Sequence, residues 1–254
     1  MTPEQLLIRT APPALLLAAV LLAAPPARPA GPLPGVAVVE LFTSEGCSSC
    51  PPAERLLAQL RQEAHSSGQP VYTLEFHVDY WDHLGWKDPY DARACSRRQE
   101  RYEDVLGADN LYTPQMVVNG RTEFVGSLAD RARAEVNAAL ARPAAAAVHV
   151  SAQRDARGRW DARWQVEGAP ADAVVCVALV ESDLRSQVRR GENQGRTLIH
   201  SSVVRAFESF SVGSKAAGDA RLTPSTEVDP AHARVVAFVQ DRRTLAVLGA
   251  AASP

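Results

Sequence analysis

A strand that runs directly into a Cys-x-x-Cys pair is the feature that most constrains the fold of this chain. Residues 36–42 (VAVVELF) form a continuous apolar, β-branched run, which is typical of a strand buried on both faces. Cys47 and Cys50 follow after a short loop, and two prolines come next, at positions that the first turn of a helix tolerates. Apolar residues then recur at helical spacing over 53–64. The sequence therefore predicts strand, loop, Cys-x-x-Cys and helix in that order.

Helices and strands continue to alternate up to residue 142. Residues 71–78 (VYTLEFHV) predict a second strand, and a helix is expected from about Pro89 to Leu106. A strand over 116–119, a short strand ending at Val125 and a helix with a buried stripe over 128–140 complete the series. The predicted element order is βαβαββα, which defines a mixed α/β layer over residues 36–142.

The periodicity changes from helical to alternating after Pro143. Residues 148–153 and 160–166 alternate apolar and polar side chains around a turn, which predicts a hairpin with one buried face. Further strand candidates cover 173–181, 197–210, 234–240 and 244–248. We therefore predict a second, antiparallel β-rich domain over residues 143–250, packed as a small sandwich.

The first thirty residues predict export. Residues 14–24 (ALLLAAVLLAA) are an apolar run shorter than the roughly 20 residues that cross a hydrocarbon core, but suited to a signal peptide. A Pro/Ala-rich linker follows, and cleavage after Ala24 or Ala27 fits the small residues there. Residues 1–30 are thus interpreted as signal peptide and linker, with an uncleaved N-terminal anchor as the alternative. We expect a periplasmic or secreted protein without a membrane span in its mature chain.

The overall charge of the chain argues against one class of partner. The formal net charge is -2, without a basic stripe, which argues against a nucleic-acid partner.

The position of the two cysteines predicts thiol–disulfide chemistry. A thiol at a helix N-terminus faces the positive end of the helix dipole, which favours the thiolate. Cys47 is expected to be the exposed attacking thiol, and Cys50 the buried thiol that resolves a mixed disulfide. Glu45, two residues before Cys47, opposes thiolate formation if its carboxylate lies nearby. No bound cofactor is required, because the electrons come from a partner thiol pair that the sequence does not identify.

Two other functions remain open for the same motif. One is a copper-binding metallochaperone that uses Cys47, Cys50 and His77 as ligands. The other is a non-catalytic binding module in which the disulfide is structural. A structural zinc site is disfavoured because no second Cys-x-x-Cys is present.

The remaining candidate residues have less specific patterns. Cys95 and Cys176 are interpreted as buried free cysteines, and a disulfide between them is the alternative. The aromatic stretch around Trp81 and Trp86 either rims a substrate groove or packs on the domain edge. The charged loop over 189–196 is interpreted as solvated, with contact to a partner or an anion as the alternative.

Four stretches of the chain together resemble a known family. ELFTSEGCSSCPPAE, HVDYWDHLGWKDPY, YTPQMVVNG and RRGENQGRTLIHSSVVR are similar to an exported bacterial, thioredoxin-like family known as domain of unknown function twelve twenty-three. The resemblance implies a thioredoxin-like fold and a cis peptide bond between Thr113 and Pro114, with the proline against the cysteines. The chain lacks the Trp-Cys-Gly-Pro-Cys motif of general thioredoxins, which argues against a simple reductase.

These observations together predict an extracytoplasmic thiol–disulfide oxidoreductase acting on protein or small-molecule thiols and disulfides. Cys47, Cys50 and Pro114 are the predicted catalytic residues. Thr113, Trp81 and Trp86 are the candidates for lining the substrate groove.

Overall fold

The first half of the chain alternates helices and strands in the predicted order. The computed structural model describes residues 31–214 and 216–253, so the predicted signal peptide lies outside the described residues. The elements up to residue 142 are β1 (Ala37–Thr43), α1 (Pro51–Ser67), β2 (Val71–His77), α2 (Arg93–Leu106), β3 (Gln115–Val118), β4 (Thr122–Val125) and α3 (Ala129–Ala141). The predicted βαβαββα order is confirmed, with one short 3₁₀ turn over Asp82–Leu84. Helix α2 begins later than the expected Pro89, because the backbone N–H of Ala92 first bonds to the carbonyl of His77.

The second half consists of strands, as the alternating pattern predicts. They are β5 (Ala147–Arg154), β6 (Trp160–Glu167), β7 (Val174–Glu181), β8 (Leu184–Gln187), β9 (Thr197–His200), β10 (Val203–Ser211), β11 (Ala217–Leu222), β12 (Ala233–Gln240) and β13 (Val247–Ala252). The single strand expected over 197–210 is wrong, since the structure divides it into β9 and β10. Ser201 and Ser202 interrupt the strand because both bond to Glu75 of β2, the former by its N–H and hydroxyl and the latter by its carbonyl.

One mixed sheet runs through both halves of the chain. Its strand order is β13-β12-β7-β10-β2-β1-β3-β4, with β1 parallel to β2 and antiparallel to β3. Strand β10 joins the halves by pairing parallel to β2 at Val203 and Glu75. A separate antiparallel sheet has the order β11-β6-β5. The division into domains over 36–142 and 143–250 stays a prediction, to which the structure adds this shared sheet.

The elements form three layers, with the large sheet in the middle. Helices α1 and α3 cover one face of β1, β2 and β3, and the three-stranded sheet covers the same face of β7 and β12. The alternation along β7 shows this directly, since Val175, Val177 and Leu179 face the small sheet while Cys176 and Ala178 face the opposite side. Helix α2 packs on that opposite side. Among the described residues, no helix is long and apolar enough to cross a membrane.

A buried ion pair fixes α2 to the large sheet. Arg98 donates to Glu40 of β1 through Nε and Nη2, the latter at 2.9 Å, and both side chains are buried. Nη2 of Arg98 also donates to Gln240 of β12 at 3.2 Å, and the guanidinium lies over the ring of Phe207, 4.8 Å from its centroid. One side chain of α2 therefore contacts strands from both halves of the chain.

Candidate functional site

Cys47 and Cys50 form a disulfide at the start of α1. Their Cα atoms lie 5.5 Å apart, and Cys50 is the residue from which the helix begins. The carbonyl of Cys50 accepts the backbone N–H of Ala53 at 2.9 Å and of Glu54 at 3.1 Å. The expectation that Cys47 is exposed is wrong for this structure, because both cysteines are 0% exposed. Ser48 and Ser49 between them are the exposed part of the motif.

The loop over residues 188–196, here called the covering segment, contributes to this burial. Its ends are joined by backbone bonds between Val188 and Arg196 and between Gly195 and Val188. The amide of Asn193, itself 0% exposed, donates to the carbonyls of Glu45 at 2.9 Å and Cys47 at 2.8 Å. The segment that was interpreted as a solvated loop is thus bonded to the backbone of the Cys-x-x-Cys motif.

A second contact of the covering segment lies on the surface. Glu192 accepts hydrogen bonds from the backbone N–H of Ser48 at 3.0 Å and from its hydroxyl at 2.7 Å. These bonds lower the pKa of Glu192, since they favour the ionised carboxylate. Each of the two polar side chains, Glu192 and Asn193, therefore connects this segment to the cysteine loop.

The predicted groove residues flank the same motif. The indole N–H of Trp81 donates to the hydroxyl of Thr113 at 2.8 Å, and Trp81 also packs against Gly46, where an added Cβ would meet the Trp81 Cβ at 3.1 Å. Trp86 donates to Glu45 Oε2 at 2.7 Å. All three groove candidates are half-buried. The peptide bond between Thr113 and Pro114 is cis, which confirms the expectation from the resemblance.

Six buried ionisable side chains lie behind the cysteine loop. We call them the histidine–carboxylate cluster, and they are Glu45, Glu54, Glu75, His77, Asp88 and His200. His77 Nδ1 bonds to Asp88 Oδ2 at 2.7 Å, and His200 Nε2 to Glu45 Oε1 at 3.1 Å. Asp88 is also bonded to the cysteine loop, because the backbone N–H of Glu45 donates to Asp88 Oδ2 at 2.8 Å. The cluster is thus coupled to the motif through Glu45.

Burial and close charges shift the pKa values in the cluster in opposite directions. Burial alone lowers the pKa of His77, but Asp88 and Glu75 oppose it, and the pKa lies well above its usual range. Burial also lowers the pKa of His200, but the bond to Glu45 and the charges of Glu54 and Glu75 together outweigh burial and raise it. Burial raises the pKa of Glu54, whereas for Glu75 the two imidazoles outweigh burial and lower it. The carboxylates of the cluster therefore favour positive charge at the two imidazoles.

The sequence indicated only one member of this cluster as a ligand. His77 was considered together with Cys47 and Cys50, but the structure groups it with Glu75 and His200 instead, the one such group of possible metal donors among the described residues. The available signal was the alternation along β2, where Thr73, Glu75 and His77 share one face. His200 carried no comparable signal, because its contact with β2 depends on the long-range pairing of β10.

The two remaining cysteines are free and buried, as predicted. Burial raises the pKa of the Cys95 thiol to about 12 and that of Cys176 to about 11. Both side chains therefore act as packing groups in the native protein.

Fold and site together define a mixed α/β protein with a Cys-x-x-Cys disulfide at the start of a helix. The chain belongs to the family described as Protein of unknown function (DUF1223), whose model matches residues 38–240. This match confirms the resemblance drawn from the four sequence stretches. No curated protein is significantly similar to the chain.

Two solved structures are similar in fold. A crystal structure of a protein from Agrobacterium tumefaciens is 26% identical, covers 86% of this chain and 94% of its own, and has a TM-score of 0.59. HBP35 of Porphyromonas gingivalis is 12% identical, with a TM-score of 0.63 over 88% of this chain and 76% of its own. The second likeness concerns the fold alone.

Proposed function

We propose that this protein is a thioredoxin-like thiol–disulfide oxidoreductase that acts outside the cytoplasm. The observation that carries the proposal is the Cys47–Cys50 disulfide at the start of α1. The order β2-β1-β3-β4, with α1 and α3 on one face and α2 on the other, supports the thioredoxin-like description. The apolar run in residues 14–24 supports the predicted export, and Pro114, directly before β3, is the third proposed catalytic residue.

Exchange at this site transfers two electrons through a mixed disulfide. In the reduced protein, the Cys47 thiolate attacks a substrate disulfide, forms a bond to one substrate sulfur and releases the other as a thiolate. The Cys50 thiolate then attacks the Cys47 sulfur, which releases the substrate dithiol and closes the Cys47–Cys50 disulfide. The reverse sequence oxidises a substrate dithiol. An external thiol or disulfide pair restores the starting state.

The helix supplies the field that this chemistry needs. The cysteines lie at the N-terminus of a 17-residue helix, whose dipole stabilises a thiolate. The carboxylate of Glu45 accepts hydrogen bonds from Trp86 and His200, so its charge is compensated by donors away from the sulfurs. This arrangement reduces the opposition to thiolate formation that the sequence position of Glu45 suggests.

Access to the sulfurs requires movement of the covering segment. Both cysteines are buried, and Glu192 and Asn193 bond to Ser48 between them and to the carbonyl of Cys47. Gly191 and Gly195 have φ values of +77° and +83°, which are backbone conformations that favour glycine. We expect substrate to replace these contacts, so that exchange with bulky substrates is slower than with small thiols.

The redox midpoint of the Cys47–Cys50 pair tests the proposal. Purified protein is equilibrated across a glutathione series, the free thiols are alkylated, and the oxidised fraction is measured, with Cys47→Ser as the control. A midpoint between roughly -120 and -270 mV supports exchange and indicates its direction. A midpoint below about -300 mV, where structural disulfides lie, refutes it.

The buried state of Cys47 favours one competing function. A disulfide that is 0% exposed under a bonded loop also fits a non-catalytic binding module stabilised by the cross-link. The half-buried Trp81 and Trp86 would then contact the partner. The same titration separates the two functions, since only a structural disulfide resists reduction across the whole glutathione series.

A further inference from the structure

Three buried side chains point one donor atom each at a common centre. Glu75 and His77 are two residues apart on β2 and so lie on the same face, while His200 ends β9 beside them. One donor atom from each residue lies within 4.8 Å of the other two. Glu75 Oε2, His77 Nε2 and His200 Nδ1 are all buried, and none has a hydrogen-bond partner among the described residues. Such orphaned atoms are costly unless something bonds to them.

The outer atom of each of these side chains is already held. His77 Nδ1 bonds to Asp88 at 2.7 Å, and His200 Nε2 bonds to Glu45 at 3.1 Å. Glu75 Oε1 accepts the N–H and hydroxyl of Ser201. When a carboxylate accepts the outer imidazole N–H, the inner nitrogen points at the centre, where a metal ion can bind it in place of a proton. A carboxylate behind each histidine is the usual outer arrangement of a metal site.

Direct pairing among the three residues does not explain the geometry. His77 Nε2 lies 3.9 Å from Glu75 Oε2, and His200 Nδ1 lies 3.7 Å from the same oxygen. Both distances exceed the 2.7–2.9 Å of a charge-assisted hydrogen bond. They are a few tenths of an ångström longer than the separation of about 3.3–3.6 Å between donors around one tetrahedral ion with bonds of about 2.0–2.2 Å.

We propose that Glu75, His77 and His200 bind one divalent transition-metal ion of the Zn²⁺ type. Two imidazoles and one carboxylate form a donor set that suits this class of ion. Glu54 Oε2 lies 3.8 Å from His200 Nδ1, beside this donor group and outside it. The four carboxylates of the cluster supply the negative charge that a buried dication needs.

The ion has a structural role in this arrangement. It links β2 to the end of β9, and so holds the chain that follows the covering segment against the strand beside the Cys-x-x-Cys loop. Tyr90 closes the outside, with its ring centroid 5.5 Å from the ring centroids of both His77 and His200. The site is formed without either cysteine, so this inference does not depend on the proposed thiol–disulfide exchange.

Metal content after refolding tests the site. Because the donors are fully buried, disulfide-intact protein is unfolded with chelator and refolded with or without Zn²⁺, and bound metal is measured by mass spectrometry after desalting. About one zinc per chain, and a higher unfolding midpoint in the zinc-refolded sample, are expected. Refolded protein that retains no zinc overturns the proposal.

Matched histidine variants locate the ion. His200→Gln is expected to abolish stoichiometric zinc binding, whereas His232→Gln, which removes a surface imidazole near Asp183, leaves it unchanged. Asp88→Asn, which removes the charge behind His77 and also alters the acceptor of the Glu45 N–H, is expected to weaken zinc binding by about 10–100-fold. Equal zinc binding by wild type and His200→Gln would overturn the assignment.

Cobalt spectra of the wild-type protein keep the test valid if a variant fails to fold. Co²⁺ bound by nitrogen and oxygen donors gives ligand-field bands without thiolate charge transfer. That spectrum, obtained with the disulfide intact and again with the Cys47→Ser/Cys50→Ser double variant, supports the site. A thiolate-to-cobalt band, or loss of binding in the double variant, places the ion at the cysteines and refutes it.

Discussion

Replacing Asn193 with alanine removes the buried side chain that holds the covering segment in place. Its amide donates to two buried carbonyls, those of Glu45 and Cys47, at 2.9 and 2.8 Å. A net hydrogen bond contributes about 1 kcal/mol, and each carbonyl left unsatisfied in the interior costs about 1–3 kcal/mol. Asn193→Ala is therefore expected to destabilise the closed segment by about 2–4 kcal/mol. If reduction of the disulfide proceeds through opening of this segment, its rate rises by about 30–900-fold, since about 1.36 kcal/mol is a factor of ten.

The assay measures both quantities on the same protein. Urea unfolding followed by fluorescence gives the change in the free energy of unfolding, and the rate of thiol appearance under excess dithiothreitol gives the accessibility of the disulfide. Gln194→Ala is the matched control, because it truncates an exposed neighbour in the same segment. If Asn193→Ala and Gln194→Ala have the same reduction rate, the segment does not control access and the reasoning fails.

Three further predictions concern charge and thiol reactivity. The pKa of Glu192 is lowered in the fold, so its bond to the cysteine loop is complete above the unfolded pKa and is lost as the pH falls through the folded pKa. Acidification should therefore accelerate phosphine reduction of the disulfide more in wild type than in Glu192→Gln. Arg98→Met leaves Glu40 buried and unpaired and should lower the free energy of unfolding by about 3–5 kcal/mol, measured by urea unfolding. Cys95 and Cys176 should not react with a thiol reagent in native, oxidised protein, and both should react in denaturant.

Each of these predictions has its own contrary result. An equal pH response in wild type and Glu192→Gln would show that the surface contact does not restrain the segment. For Arg98→Met, a loss below about 1 kcal/mol would contradict the stabilising role of the buried ion pair. Rapid modification of a native thiol would contradict the burial of both free cysteines.

Much of the first half follows from the sequence because its signals are local. The apolar run before Cys47, the two prolines after Cys50 and the helical spacing over 53–64 together define β1, the motif and α1. Strand alternation likewise indicated the hairpin of β5 and β6. Each of these patterns depends only on a few neighbouring residues and on which of their side chains face the core.

The surroundings of the site could not be predicted from the sequence, because they depend on contacts between residues that are far apart in the chain. Asn193 bonds to a carbonyl 146 residues away, and His200 to a carboxylate 155 residues away. A charged loop with two glycines has the same local composition whether it is solvated or packed on a disulfide. The predicted exposure of Cys47 was therefore wrong. The sequence around residues 188–196 does not indicate that this loop packs against the cysteines.

The covering segment also sets an order of events during synthesis. Cys47 and Cys50 precede Asn193 by about 145 residues, and synthesis at about 5–20 residues per second separates their emergence by roughly seven to thirty seconds. During that interval the new chain has its cysteines but not the side chains that later enclose them. The nascent protein thus passes through a stage in which any oxidant can reach both thiols. Once the loop over 188–196 has docked, the oxidation state acquired in that stage is retained until the loop reopens.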